Sequence, residues 1–466
     1  MENYSFWANE VWGFVMLLAV LFLSLYAANV LKKAIPLLKK SLIPSSVLGG
    51  ILLLSVSVLY EAIFKKPFFN SAFFSGNGSG MLEILTYHCL GLGFTATTLK
   101  PAEAKFSKER SREIFDSGAA TVATYLIQGI FGLGLTLLAA IFLKKIFAAS
   151  GVILPFGYGQ GTGQALNYGS IYENDYGFTG GRSFGLTIAA FGFLSAAIGG
   201  VIHLNLLRKK GIKVRLEDGD ETAELLSSSD IQQPDEIPMN GSIDKLTEQL
   251  MFIFIGYLMA FGMMHLLGGL VASFKSLFFG LNYLLGVVAA IIIKNLNKLL
   301  MKKKIVKRQH LNGFFLTRIS GFLFDLMIVS GIGAIKIQLL KDYWWILLIL
   351  GIGGALVTYF YDHFVSKKLF PGYTEEQFLM LYGMLTGTAS TGTILLRQMD
   401  PDFRTPAAEN MIYLNFPAIA FGFPMMLLAA IAPKQPLLTW FYMIAFFTLM
   451  NLILFRRNIF RKKVKK

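Results

Sequence analysis

Two glycine-rich stretches contain the residue types in this sequence that are best suited to binding small ions. Residues 157–169 read GYGQGTGQALNYG, and residues 383–393 read GMLTGTASTGT. A glycine inside a helix costs about 1 kcal/mol relative to alanine, so neither stretch is expected to form a straight helix. Carbonyl and hydroxyl oxygens suit a hard cation such as sodium, and free N–H groups suit a carboxylate. The pattern therefore predicts a site that binds a small cation and an anion together.

The predicted site takes residues from both stretches and from two places outside them. The candidates are Gln160, Gly161, Thr162, Gly163, Asn167, Asp325, Thr386, Thr388, Ser390, Thr391 and Asn415. The alternative for the glycines is that they only permit close helix packing, as small-xxx-small seams do. Two hydroxyl-rich stretches at equivalent positions favour the binding site over that alternative.

Asp325 and Asn415 are the candidates outside the glycine-rich stretches. In a helix, each residue is rotated by about 100° from the one before. In the apolar run 311–339, Asp325 therefore falls within about 60° of one helix face together with Arg318, Gly321 and Lys336. That face is expected to look into the helix bundle. An ionised carboxylate in a membrane costs about 2.5–3.5 kcal/mol, so Asp325 is either a sodium ligand or a structural charge partner. Asn415 either bonds a backbone carbonyl freed by a nearby proline or lines the transport path.

The composition excludes several classes of protein. Of the 466 residues, 54% are hydrophobic and 15% are charged, whereas a soluble chain is usually about 25% charged. A soluble enzyme, a disordered chain and a nucleic-acid-binding domain are therefore excluded. The single cysteine, Cys89, rules out a disulfide framework, and the five histidines show no metal-ligand spacing. No metal site and no cofactor are expected, apart from sodium as a coupling ion.

Long apolar runs predict an all-α polytopic membrane protein, because a bilayer core needs about 20 apolar residues per helix. The eleven runs are 11–31, 42–64, 81–99, 117–143, 183–206, 248–272, 277–297, 311–339, 343–366, 408–431 and 437–455. No basic residue precedes the first run, and Lys32 and Lys33 follow it, which places the N-terminus outside. The remaining basic clusters then place the C-terminus in the cytoplasm. The expected location of the protein is the plasma (inner) membrane.

The order of the runs predicts two repeats of opposite orientation. Residues 1–206 form a five-helix repeat with a re-entrant hairpin at 151–170, and residues 248–431 form an inverted copy with a hairpin at 376–396. An acidic cytoplasmic linker, 207–247, joins the repeats, and 432–466 adds an extra helix and a basic tail. Inverted repeats with broken segments at matching positions are typical of secondary transporters that bind substrate near the membrane midplane.

Several segments resemble the bacterial sodium/glutamate symporter family. They are KKSLIPSSVLGGILL (39–53), LGLGFTATTLK (90–100), QGTGQALNYGSIYENDYGFTG (160–180), AAFGFLSAAIGGVIH (189–203) and GTASTGTILLRQM (387–399). The resemblance implies sodium-coupled import of glutamate or a similar anion. It also implies an elevator-like movement in homodimers, by analogy with related transporter folds. Membrane lipids are the other expected partners, and the clustering of basic residues between apolar runs argues against a nucleic-acid partner.

Two departures from that family lie in the predicted hairpins. The family pattern has His before the GTG, where this chain has Gln160, and a Thr-Pro-Thr-like turn where this chain has Ala389, Ser390 and Thr391. A sodium-coupled di- or tricarboxylate carrier, citrate-like in its substrate, therefore stays an alternative. An ion channel would need a continuous pore. An enzyme is not expected, since H-E-x-x-H, G-x-S-x-G and a suitably spaced carboxylate pair are all missing.

Overall fold

The computed structural model describes residues 5–101, 107–214, 231, 236–239 and 243–457, and over these residues the protein is helical. The first half contains α1 (Asn9–Ala34), α2 (Pro36–Lys40), α3 (Ser45–Phe64), α4 (Gly78–Leu99), α5 (Lys108–Phe142), α6 (Ile153–Tyr176) and α7 (Gly181–Lys209). The second half contains α8 (Lys245–Leu270), α9 (Lys275–Gly280), α10 (Asn282–Lys302), α11 (Gly313–Gly333), α12 (Trp344–Leu369), α13 (Thr374–Thr386), α14 (Ala389–Arg397), α15 (Pro406–Tyr413), α16 (Asn415–Ile431) and α17 (Pro436–Leu454).

Within the described residues, nine helices are long and apolar enough to cross a membrane, and α15 with α16 makes a tenth if this pair, bent by 48°, is one span. The sequence predicts eleven spans, and each predicted run is indeed helical. The third predicted run, 81–99, is the one whose helix is not apolar enough to count as a membrane span. Its helix, α4, is long enough but is not among the apolar spans. One face of α4 is buried against α10 and α11, and a helix covered by protein needs less apolar surface than one in lipid.

The helix α6 folds back on itself at Gly161. The backbone of Gly161 has φ 74° and ψ −166°, a conformation that is open essentially only to glycine. The rings of Phe156 and Tyr168 lie with centroids 4.0 Å apart, although twelve residues of straight helix would span about 18 Å. Phe147 likewise packs against Tyr172, at 5.6 Å. These contacts define two antiparallel arms whose tip is at Gly161.

The helices α13 and α14 form a second fold-back. Gly387 separates them, and their arms approach so closely that a Cβ on Gly383 would lie 2.8 Å from the Cα of Gly392. Thr388 caps the second arm, since its Oγ1 accepts a hydrogen bond from the backbone N–H of Thr391 at 3.3 Å. Glycine at both contact positions is what allows the two backbones to touch.

The two halves of the chain pack against each other in a reciprocal way. The third long helix of each half contacts the second long helix of the other half: α4 packs on α10, and α11 packs on α3. The two third helices, α4 and α11, also contact each other. The fourth long helix of each half contacts the helix that follows the fold-back of the other, so that α5 packs on α16 and α12 packs on α7.

The predicted flexible linker 207–247 lies mostly outside the described residues, namely at 215–230, 232–235 and 240–242. Its end, 236–239, is fixed to the second half. The Glu236 carboxylate accepts hydrogen bonds from Lys245 Nζ and from Asn312 Nδ2, both at 2.7 Å. The backbone N–H of Ile237 donates to Gln309 O at 3.1 Å. This part of the predicted linker is therefore not a free tether. The basic tail beyond residue 457 lies outside the described residues.

Candidate functional site

The tips of the two fold-backs meet at one cavity of about 150 Å³. The side chains and backbone that line it are those of Phe94, Thr97, Tyr125, Gly159, Gln160, Tyr283, Phe324, Met327, Met384, Gly387, Thr388, Ala389, Ser390, Asn415, Ala418, Ile419, Gly422 and Met426. A volume of this order accommodates a small molecule of about the size of a benzene ring. The cavity is therefore of a size for a small metabolite and not for a macromolecule.

Four of the predicted site residues line this cavity. Gln160 comes from the tip of the first fold-back, Thr388 and Ser390 come from the tip of the second, and Asn415 lies where α15 bends into α16. These residues are far apart in the sequence. They come together because each glycine-rich tip ends at the same point between the two halves of the chain.

The other predicted residues of the first fold-back do not line the cavity: Gly161 forms the turn at its tip, and Thr162, Gly163 and Asn167 lie behind it. The Thr162 hydroxyl donates to Met327 O at 3.0 Å and so ties the tip to α11. Gly163 packs on α4, where a Cβ would lie 2.8 Å from the side chain of Leu90. Asn167 Nδ2 donates to Gly280 O at 3.0 Å. Thr162 and Asn167 hold the fold-back in place, and Gly163 allows it to pack closely.

In the second fold-back, Thr386 and Thr391 are also buried behind the tip. The Thr386 hydroxyl donates to Tyr382 O, in its own helix, at 2.5 Å. Thr391 Oγ1 lies 3.3 Å from Thr388 Oγ1. Both hydroxyls are thus engaged within the fold-back, which leaves Thr388 and Ser390 as its polar side chains on the cavity wall.

The expectation that Asp325 looks into the bundle is wrong. The side chains of Arg318, Asp325 and Lys336 are exposed, and Asp325 is not among the residues that line the cavity. The helix α11 instead packs through an opposite face and its C-terminal part, where residues 326–333 are all buried. A shared helix face shows which residues are neighbours, but it does not show which face turns inwards. The geometry does not place Asp325 in the site.

Two tyrosines on the cavity wall are absent from the predicted set. Tyr283 Oη donates to Gln160 Oε1 at 3.4 Å, so α10 contacts the first tip across the cavity. Tyr125 Oη donates to Gly159 O at 3.1 Å. Tyrosines inside apolar runs usually indicate packing or a membrane interface, so the sequence contains no separate signal for this role.

The described residues that line the cavity are all uncharged. An anion bound in the cavity would therefore accept hydrogen bonds from uncharged donors. The nine-residue helix α14 begins at the cavity with Ala389 and Ser390, and the N–H groups of a first helical turn have no partner within the helix. The positive end of the helix dipole adds to this attraction for anions. Backbone carbonyls and hydroxyls of the same tips provide oxygen ligands for a cation.

A separate group of side chains among the described residues, away from the cavity, has the types that hold metal ions. The ligand atoms of His203, His363 and Glu375 all lie within 4.8 Å of one another. His203 already uses both ring nitrogens: Nδ1 bonds with Tyr359 Oη at 2.7 Å, and Nε2 bonds with Glu375 Oε2 at 2.9 Å. The three residues come from α7, α12 and α13, which is why spacing along the sequence showed no ligand motif.

Comparison with known proteins gives one family. A family model described as sodium/glutamate symporter matches residues 13–369, well over half of the chain. The matched range runs from α1 to the end of α12, includes the first fold-back with Gln160, and ends before the second fold-back. Neither a curated protein nor a solved structure matches the chain.

Proposed function

Since the chain belongs to the sodium/glutamate symporter family, we propose that it is a sodium-coupled secondary transporter that imports glutamate or a similar amino-acid or carboxylate anion. The observation that best supports the proposal is that the glycine-rich tips of the two fold-backs meet at one small cavity lined by uncharged residues. Sodium moving inwards drives uptake, and each net positive charge that enters gains about 2.3 kcal/mol per 100 mV of membrane potential.

Substrate binds between the two tips. Gln160 contacts it from the first fold-back, Thr388 and Ser390 contact it from the second, and Asn415 contacts it from the bend. The backbone N–H groups of Ala389 and Ser390, at the start of α14, face the carboxylate of the anion. The support is that these groups line one cavity, without a fixed cation that would hold the anion too tightly for release.

The two halves are inverted repeats, and the fold-backs are re-entrant hairpins that enter from opposite sides of the plasma membrane. The reciprocal packing of α4 on α10 and of α11 on α3 supports this arrangement, since a two-fold relation exchanges these contacts. The N-terminus lies outside, and the C-terminus lies in the cytoplasm with the basic loops.

Transport proceeds by an elevator-like movement. The fold-backs, together with α5, α7, α12 and α16, move as a unit against α1, α3, α4 and α8 to α11. The cavity lies on the boundary between these groups, because Tyr283 and Phe324 belong to the second group and Gln160 and Ser390 to the first. In this proposal the protein works as a homodimer in the lipid bilayer, with sodium as its coupling ion and no cofactor.

The test is uptake of labelled glutamate by proteoliposomes that contain the purified protein. An inward sodium gradient is expected to drive accumulation, and a potassium gradient of the same size serves as the control. Collapse of the sodium gradient with an ionophore is expected to abolish accumulation. Equal uptake under sodium and potassium would overturn sodium coupling.

The second candidate is a sodium-coupled di- or tricarboxylate carrier. Gln160, Ala389 and Ser390 are positions where the sequence departs from the family pattern, and all three line the cavity. Competition for labelled glutamate uptake separates the two candidates. Inhibition by unlabelled glutamate and aspartate, but not by citrate, supports the amino-acid carrier, whereas inhibition by citrate alone supports the alternative.

A further inference from the structure

A fully buried carboxylate lies outside the cavity and outside the group formed by His203, His363 and Glu375. Asp362, on α12, is 0% exposed. Its Oδ1 accepts a hydrogen bond from the Thr124 hydroxyl at 2.6 Å, whereas its Oδ2 has no hydrogen-bond partner. Among the ion pairs of the described residues, none includes Asp362. The carboxylate is thus only half satisfied.

A second buried oxygen without a donor lies at the same contact between α5 and α12. Gln128, one helical turn after Thr124, is 0% exposed, and its Oε1 has no partner. Its Nε2 donates to Thr358 Oγ1 at 2.8 Å and to Leu385 O at 2.9 Å. Thr358 in turn precedes Asp362 by one turn of α12. The two oxygens without donors therefore lie about one turn apart between the same two helices.

Such oxygens are costly unless something positive binds them. A buried carboxylate without a positively charged partner is strongly disfavoured, and an intramembrane one indicates function by default. The available ligands are a carboxylate, an amide oxygen, hydroxyls and a helix-end carbonyl, which are the ligands of a hard cation. The C-terminal end of α13, where Leu385 lies, adds the negative end of a helix dipole. A single carboxylate balances one positive charge.

We propose that Asp362 and Gln128 bind a sodium ion between α5 and α12, at a site separate from the substrate cavity. The proposal deepens the proposed function and rests on it, because it assigns the coupling ion to named residues. Tyr125 and Met384 line the cavity, and each is the chain neighbour of a residue at this contact, Thr124 and Leu385 respectively. Sodium bound here would hold the first arm of the second fold-back through the bond from Gln128 to Leu385 O.

The experiment measures sodium binding directly, without substrate. Purified protein in detergent is heated in increasing sodium chloride, with choline chloride keeping the ionic strength constant. A ligand that binds only the folded state raises the unfolding temperature in a saturable way. We expect the midpoint of this sodium effect to rise at least tenfold in Asp362→Asn and severalfold in Gln128→Met. Asp342→Asn is the matched control, because Asp342 is exposed and pairs with Lys145 at 3.8 Å, outside α5 and α12.

An unchanged sodium midpoint in Asp362→Asn overturns the site. If that variant does not fold, an unchanged sodium midpoint in Gln128→Met also overturns the site, since methionine keeps the length of glutamine and removes its oxygen. The uptake assay separates this failure from failure of the proposed function. If the wild-type protein shows sodium-driven uptake but Asp362→Asn keeps the wild-type sodium midpoint, only the proposed sodium site is wrong. If Asp362→Asn raises the sodium midpoint but the wild-type protein shows no sodium-driven uptake, only the transport proposal is wrong.

Discussion

At the scale of single residues, the cavity wall consists of neutral groups, so binding of an anion depends on individual hydrogen bonds. Ser390 is exposed at the start of α14 and lines the cavity. A hydrogen bond to a charged group contributes about 1.5–3 kcal/mol, which is roughly a ten- to hundredfold change in affinity. We therefore expect Ser390→Ala to raise the KM for glutamate at least tenfold, measured from the concentration dependence of uptake.

The matched control for this substitution is Thr393→Val, three residues further along the same helix. The Thr393 hydroxyl donates to Ala389 O at 2.9 Å and does not line the cavity. Its loss is expected to leave the KM for glutamate within a factor of two. Equal increases in KM in the two variants would show that the effect comes from the helix and not from contact with substrate.

Gly161 is the residue whose backbone conformation matters most for the first tip. A side chain at φ 74° and ψ −166° costs about 1–3 kcal/mol of strain. Gly161→Ala is expected to lower the thermal unfolding temperature and to reduce the initial rate of glutamate uptake at least fivefold. Gly177→Ala is the comparison, because Gly177 also has positive φ, at 72°, but has no neighbour within 4 Å of an added Cβ. A smaller loss of uptake in Gly161→Ala than in Gly177→Ala would contradict the role of the tip.

Part of the cavity could be predicted from residue types alone. Gln160, Thr388 and Ser390 were predictable because several glycines and hydroxyls in a row are incompatible with a plain membrane helix. Asp362 and Gln128 gave no such signal, since each is a single polar residue in an apolar run, and burial is decided by the partner helix. Asp325 was assigned to the wrong side for the same reason.

At the scale of helices and loops, the second fold-back depends on close backbone contact between its arms. A Cβ on Gly383 would lie 2.8 Å from Gly392 Cα and 3.0 Å from Gly392 N, and backbone atoms cannot rotate away as a side chain can. Gly383→Ala is therefore expected to separate α13 from α14, to lower the thermal unfolding temperature and to reduce uptake. Gly372→Ala, at a position with open space, is expected to change neither. Wild-type uptake and stability in Gly383→Ala would contradict the close packing.

Helices were the most predictable elements, because a long apolar run has few alternatives to a helix in a membrane. The end of the linker at 236–239 was not predictable. Its order depends on Lys245, Gln309 and Asn312, and contacts between distant positions leave no local pattern in the sequence. At the bend between α15 and α16, proline removes backbone hydrogen-bond donors, and both helices pack against α5.

At the scale of the whole molecule, an elevator-like movement requires α6 to slide past the short helix α9. Asn167 on α6 and Gly280 on α9 are suitable for a cross-link, since a Cβ on Gly280 would lie 4.0 Å from Asn167 Cβ. That separation is within the range for disulfides. In a Cys89→Ala background, the variant Asn167→Cys with Gly280→Cys is expected to lose at least nine-tenths of its glutamate uptake on oxidation. Reduction is expected to restore the uptake that the same variant showed before oxidation.

A cross-link within one unit provides the control for that experiment. Thr86 on α4 and Ser330 on α11 are both buried, and their hydroxyl oxygens lie 2.9 Å apart. Both helices belong to the group that stays fixed in the proposed movement, so oxidation of Thr86→Cys with Ser330→Cys is expected to leave uptake unchanged. Mass spectrometry of peptides confirms each disulfide. Full uptake by the oxidised Asn167→Cys and Gly280→Cys variant would exclude sliding of α6 past α9, because transport would then proceed with the two helices locked together.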